Sequence, residues 1–196
     1  VPLGVQRALS NPHHVKDAMT TVNGLPAHIL LVHAIVVLLP LSALLLVLSS
    51  VWPKARGKLA GPNAVLAVVV VILVPITTNA GEWLERRVAQ TPLLRDHTEL
   101  GDTALWVAIP VAVLALVVWW RERENTRLSA DTDDSPVAGR RTYLAPASTK
   151  VTAAVAVVAV LAAGAAVYDM YRIGDSGARA SWQGNFSENA APRHAR

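Results

Sequence analysis

Hydrophobic positions in this chain come in solid blocks instead of at amphipathic spacing. Four stretches are nearly free of charge: Ile29 to Val51, broken only by His33; Ala64 to Ala80; Ala104 to Trp120; and Val151 to Tyr168. Each covers about 17 to 23 residues, the length a helix rising 1.5 Å per residue needs to cross the hydrocarbon layer. A soluble fold can bury one such block, but four of them in 196 residues leave too little polar surface to wrap them. The pattern predicts an all-α fold, a transmembrane four-helix bundle with spans at about 26–51, 63–84, 97–120 and 150–172.

The polar stretches between the blocks predict the boundaries. Asn23, Gly24 and Pro26 read as a turn and the first turn of a helix. Residues 1–24 are expected to be a flexible tail, with no apolar core of signal-peptide length and with translation starting at either Val1 or Met19. The membrane domain then covers 25–182, and a flexible C-terminal tail covers 183–196. The connector KARGKLAGPN is short and sends the second span back beside the first. The loop 121–149 is polar, mixed in charge and punctuated by Pro and Ser. Pro40, Pro75 and Pro110 fall inside spans and predict kinks. The fourth span is alanine and valine with Ala159, Ala163 and Gly164 among its small residues, which predicts close packing at the centre of the bundle.

Composition agrees: 53% of residues are hydrophobic and 16% charged. The absence of cysteine excludes disulfides, thiolate catalysis and cysteine-held metal centres. The net charge of +4 resides mainly in loop and tail arginines, with no basic stripe interleaved with aromatics, so nucleic acid is not an expected partner and the lipid bilayer is. Lys54, Arg56 and Lys58 follow the first span, and Arg121, Arg123, Arg127, Arg140, Arg141 and Lys150 follow the third. The positive-inside rule then puts both termini on the extracytoplasmic side of a plasma membrane.

Threading the spans gathers the unusual polar residues at the other face: His28, His33, Asn79, Glu82, Glu85, His97, Glu99, Asp102, Asp169, Arg172 and Asp175. Ionisable groups at membrane depth need partners or water. His28 and His33 are five residues apart, about 140° and about 7.5 Å on a helix, so they do not share a stripe. Each imidazole is either a hydrogen-bonded structural group, an axial haem ligand, a metal ligand or a proton carrier. In DHTELGD, Asp96 and Glu99 have capping-box spacing, which leaves His97 and Asp102 without a local explanation. In NAGEWLERR, Glu82 and Arg86 are spaced for an i,i+4 ion pair, and Trp83 for the interfacial belt. In YRIGDSGARASW, Gly174 and Gly177 are expected to end the fourth helix, with Asp175 folding back over His28 and His97 as one alternative.

In this order, NGLPAHILLVH, TTNAGEWLE, RDHTELGD and YRIGDSGARASW resemble a family of bacterial four-span integral membrane proteins catalogued as a domain of unknown function, type 2231. The likeness covers about Gly24 to Trp182. It implies a histidine pair five apart at the first span, here His28 and His33. It also implies a glycine-rich motif after the last span, often with histidine where this chain has Asp175. Relatives are sometimes joined to Rieske-type iron–sulfur domains, which implies redox company for the fold.

No nucleophile with a base, phosphate loop or metalloprotease spacing is present, so the chain reads as a non-catalytic accessory membrane protein. The sharpest site expectation is a His and carboxylate cluster. It would bind haem b through His33 and His97 with His28 nearby, or a divalent metal through His28, His97, Glu82, Asp102 and Asp175. A respiratory or other redox membrane complex is the expected partner. The alternatives are a small proton-linked transporter or channel along His33, Asp102 and Asp169, and a purely structural subunit.

Overall fold

A computed structural model of the chain describes residues 21–22, 24–131, 148–184 and 186. The expected tails therefore lie largely outside the described residues, as does most of the second half of the loop 121–149. A two-residue antiparallel hairpin, β1 (Thr21–Val22) with β2 (Leu25–Pro26), opens the structure, and Gly24 takes the turn at φ +79°. Among the described residues five helices follow: α1 (Ala27–Val51), α2 (Pro53–Glu85), α3 (Pro92–Gly101), α4 (Ala104–Asp131) and α5 (Thr149–Trp182).

Four apolar helical segments are long enough to cross a bilayer, and the chain is a multi-pass membrane protein. α1 packs on α2 and α5, and α4 packs on the same two, so the spans form an antiparallel square with α3 lying against α5 at one end. Val, Leu and Ile cover the outside because lipid is as apolar as they are. The interior mixes large residues such as Leu39 and Leu46 on α1 with many small ones: Ala60 and Ala67 on α2, Ala104, Ala108, Ala112 and Ala115 on α4, and Ala159, Ala163 and Ala166 on α5. Without a hydrophobic drive between helices in lipid, close backbone approach and hydrogen bonds hold the bundle. One such bond is buried between α1 and α2, where Ser42 Oγ donates to Asn63 Oδ1 at 3.0 Å.

Several boundaries differ from the sequence expectation. The stretch KARGKLAGPN is the start of α2, and the only break from α1 is Trp52, extended at φ −117° and ψ 105°. Pro53 explains both facts, because proline excludes the helical region for the residue before it and suits the first turn of a helix. Arg56 closes the corner by donating from Nε to the Ser49 carbonyl and from Nη2 to the Ser50 carbonyl, each at 2.8 Å. These are orphaned acceptors at the negative end of α1. At the same end of the bundle, α4 continues through Asp131, eleven residues into the stretch expected as loop.

Three local expectations are corrected. Asp96 does not cap the short helix: Thr91 does, its side chain accepting from Leu94 N at 3.1 Å, with Pro92 in the first turn. α5 does not end at Gly174 or Gly177 but runs to Trp182. Nor is α5 the central helix, for it is the least buried of the four spans. Ala159, Ala163 and Ala166 face inward, while Val157, Val158, Leu161 and Val167, with Gly164 and Ala165, remain exposed.

Candidate functional site

The N-terminal end of α1, the C-terminal ends of α2 and α5, and α3 converge on one face of the bundle. Two histidines meet there. The rings of His28 (α1) and His97 (α3) lie edge to face, with centroids 6.5 Å apart and planes inclined at 74°.

Each ring is fixed by one nitrogen. His28 Nδ1 is 3.0 Å from the Thr77 carbonyl of α2. A carbonyl only accepts, so Nδ1 carries the proton and Nε2 the lone pair. His97 Nδ1 is 3.0 Å from Ser176 Oγ of α5, and that hydroxyl donates its own proton to the Ile173 carbonyl at 2.8 Å. Ser176 can then only accept from His97, which sets the same tautomer on the second ring. The Ile173 backbone also makes a hydrogen bond to His97.

Two glycines make room for the rings. A Cβ on Gly81 would stand 2.9 Å from both Cε1 and Nδ1 of His28. A Cβ on Gly177 would stand 3.0 Å from Cε1 of His97 and 3.3 Å from its Nδ1. The GDSG stretch therefore works as a docking surface for His97 inside a continuous helix. Sequence reasoning took Gly177 for a helix end and gave Gly81, Thr77 and Ser176 no role. The only sequence signal for them was a glycine on each of two other segments crowded with polar residues.

The carboxylates expected in the cluster are elsewhere. Glu82 is exposed and pairs with Arg86 at 3.6 Å, the i,i+4 contact its spacing predicts. Asp175 pairs with Arg179 at 2.9 Å on its own helix. Asp102 is exposed at the corner between α3 and α4. Among the described residues, no group of three or more His, Asp or Glu side chains is placed to hold a metal ion together. His33 is not brought to His97 either: it is exposed, with Nδ1 on the Ile29 carbonyl of its own helix. The rotation of about 140° between positions five apart turns it away from the face that His28 presents to α2. Trp83 carries the Arg87 guanidinium over its ring at 3.8 Å.

Asp169, by contrast, is buried at 7% exposure. Both of its carboxylate oxygens lie 2.9 Å from Thr103 Oγ1, which is also 2.6 Å from the Leu100 carbonyl. One hydroxyl proton thus faces three acceptors. Beside this contact, a cavity of about 220 Å³ opens between α3 and α5, bordered by Asp96, Arg172, Asp175 and Ser176.

The arrangement is two imidazoles, each with Nδ1 engaged, on a face where two glycines make room for them. A family model described as predicted membrane protein (DUF2231) matches residues 24–188. No curated protein and no solved structure matches the chain.

Proposed function

We propose, for a chain that belongs to the DUF2231 family of predicted membrane proteins, the role of a non-catalytic membrane accessory protein that binds a divalent metal ion between His28 and His97. The observation that carries this reading is the pairing of the two rings at 6.5 Å, each with Nδ1 engaged. A metal-bound imidazole needs its second nitrogen tied to an oxygen acceptor, and both rings meet that condition. With metal–nitrogen bonds of about 2.0–2.1 Å, two coordinated rings have centroids roughly 5 Å apart at a tetrahedral angle and roughly 6.4 Å apart when opposed. The 6.5 Å separation matches the opposed arrangement, and a tetrahedral ion would draw the rings together by roughly 1.5 Å. Two protein ligands leave open positions for water or for a partner's side chain. Imidazole donors favour zinc or copper over magnesium or calcium.

Haem fits less well, because the pair expected to ligate it, His33 and His97, is separated, with His33 facing outward. The partner we assign to the accessory role is a redox membrane complex, on the strength of the family resemblance. The distribution of arginine and lysine supports termini on the extracytoplasmic side.

The test is calorimetric titration of the detergent-purified, metal-stripped chain with Zn²⁺ and Cu²⁺. One ion per chain is expected, weakened at least about tenfold in His28→Ala and in His97→Ala, as loss of one of two protein ligands requires. His33→Ala should bind as the parent does. Undiminished binding in both His28→Ala and His97→Ala overturns the reading. A Soret band in the purified chain that disappears in His97→Ala replaces the divalent ion with haem.

Asp169 favours a second reading, a proton-linked path, since buried acids at membrane depth commonly serve as proton relays. Its test is pH-driven flux in liposomes, which should disappear in Asp169→Asn. No flux in the parent chain retires it.

A further inference from the structure

The opposite end of the bundle carries a second cavity, of about 350 Å³, between the start of α2 and the end of the apolar part of α4. Arg56, Arg123 and Arg127 line it, with Trp119 and one acid, Glu122. Gly57 and Gly61, one helical turn apart on α2, also line it. A Cβ on Gly61 would touch the Trp119 indole Nε1 at 3.5 Å, and one on Gly57 would touch Glu122 Oε1 at 3.5 Å. The groove is open because these two positions carry no side chain.

Its depth is marked by tryptophans. Trp52, Trp119 and Trp120 all stand at this end, and tryptophan collects at the level of the lipid headgroups. The donors are suited to an anion. Arg56 is engaged with the α1 carbonyls, whereas Arg123 lies over the Trp119 ring at 5.0 Å, exposed and held at the cavity edge. Arg127 follows one turn later on the same side of α4 and is exposed as well. Guanidinium forks match phosphate oxygens geometrically, and the indole N–H adds a donor. Three arginines against one glutamate leave an excess of positive charge, and Glu122 offers an acceptor to a headgroup hydroxyl. Basic pockets between membrane helices are a recurring way of holding anionic headgroups.

We propose that this cavity is a binding site for the phosphate of an anionic phospholipid, with Arg123 and Arg127 on the phosphate oxygens. The site is independent of the histidine pair, which lies at the other face.

The experiment is native mass spectrometry of the full chain released from detergent after incubation with phosphatidylglycerol, with phosphatidylcholine, or with inorganic phosphate. Phosphatidylglycerol should be retained in preference to phosphatidylcholine. The double variant Arg123→Gln, Arg127→Gln should lose that retention on the order of tenfold or more, the scale expected for two cationic contacts. Both positions are exposed, and thermal unfolding of the variant checks that the fold is intact. Lys54→Gln with Lys58→Gln removes the same charge from the same end at exposed positions outside the cavity, and should keep the lipid. Equal loss in the two double variants assigns retention to general surface charge and overturns the site. Equal retention of both lipids also overturns it. Binding of inorganic phosphate without lipid retention shows a free-anion site and overturns the lipid assignment.

Discussion

Replacing Gly81 by alanine should damage the histidine face more than a single methyl group suggests. The added Cβ would lie 2.9 Å from Cε1 and Nδ1 of His28, whereas carbon atoms rest at about 3.5–4.0 Å. The ring must therefore retreat by roughly 0.6–1 Å, which would stretch its 3.0 Å bond to the Thr77 carbonyl beyond hydrogen-bonding range. Overpacking costs about 1–3 kcal/mol, the lost bond about 0.5–1.5, and the better helix propensity of alanine returns about 1. The net loss is about 0.5–3.5 kcal/mol, a fall of about 1–14 °C in the unfolding temperature of a chain this size. Gly164→Ala is the internal control, since nothing lies within 4 Å of its Cβ position, and it should be neutral or up to about 1 kcal/mol more stable. Thermal unfolding in one detergent, with the ¹⁵N shifts of His28, measures both. A Gly81→Ala chain as stable as Gly164→Ala with an unmoved His28 signal would refute the close contact between α1 and α2 on which the site rests.

Other consequences follow from the same contacts. Thr103→Val should cost about 1–3 kcal/mol by removing the hydroxyl that serves buried Asp169. Thr103→Ser should restore most of the loss, and denaturation in detergent reads the difference. Arg56→Leu should destabilise by about 1–3 kcal/mol, because the carbonyls of Ser49 and Ser50 lose a charged donor. Arg56→Lys is expected to recover only part of this, as one ammonium cannot repeat the fork. A double-mutant cycle on Ser42→Ala and Asn63→Ala should give a coupling of about 0.6–1.7 kcal/mol, the range of interhelical bonds in bilayers, and a value near zero would deny the bond. Glu82→Gln should change stability by less than about 0.5 kcal/mol, since its ion pair with Arg86 is exposed.

Much of the site was legible as residues but not as a set. His28 and His97 were visible because polar groups at the mouth of an apolar span are costly and therefore conspicuous. The expected metal set already put His28 with His97, but the contact between the rings and the groups that hold them depend on how the corner from Asp102 into α4 folds α3 onto α5. The carboxylates misled for a local reason. Glu82 and Asp175 each have an arginine four residues later, and these nearby partners claimed them before the histidines could. Thr91 with Pro92 was a better helix start than Asp96, and only the order of the two signals hid it.

The sequence by itself determined that four helices cross a bilayer, because transfer of an apolar block into hydrocarbon is a property of that block and sums residue by residue. It also determined which end of the bundle is basic and which is rich in histidine. The tertiary structure decided which faces touch. α5 turned one alanine-lined side inward instead of taking the centre, Gly81 and Gly177 became seats for imidazoles, and Gly57 and Gly61 became an open groove. Packing in lipid depends on close approach between surfaces that are equally apolar, and that choice is made by shape and hydrogen bonds between distant segments, which no local pattern encodes.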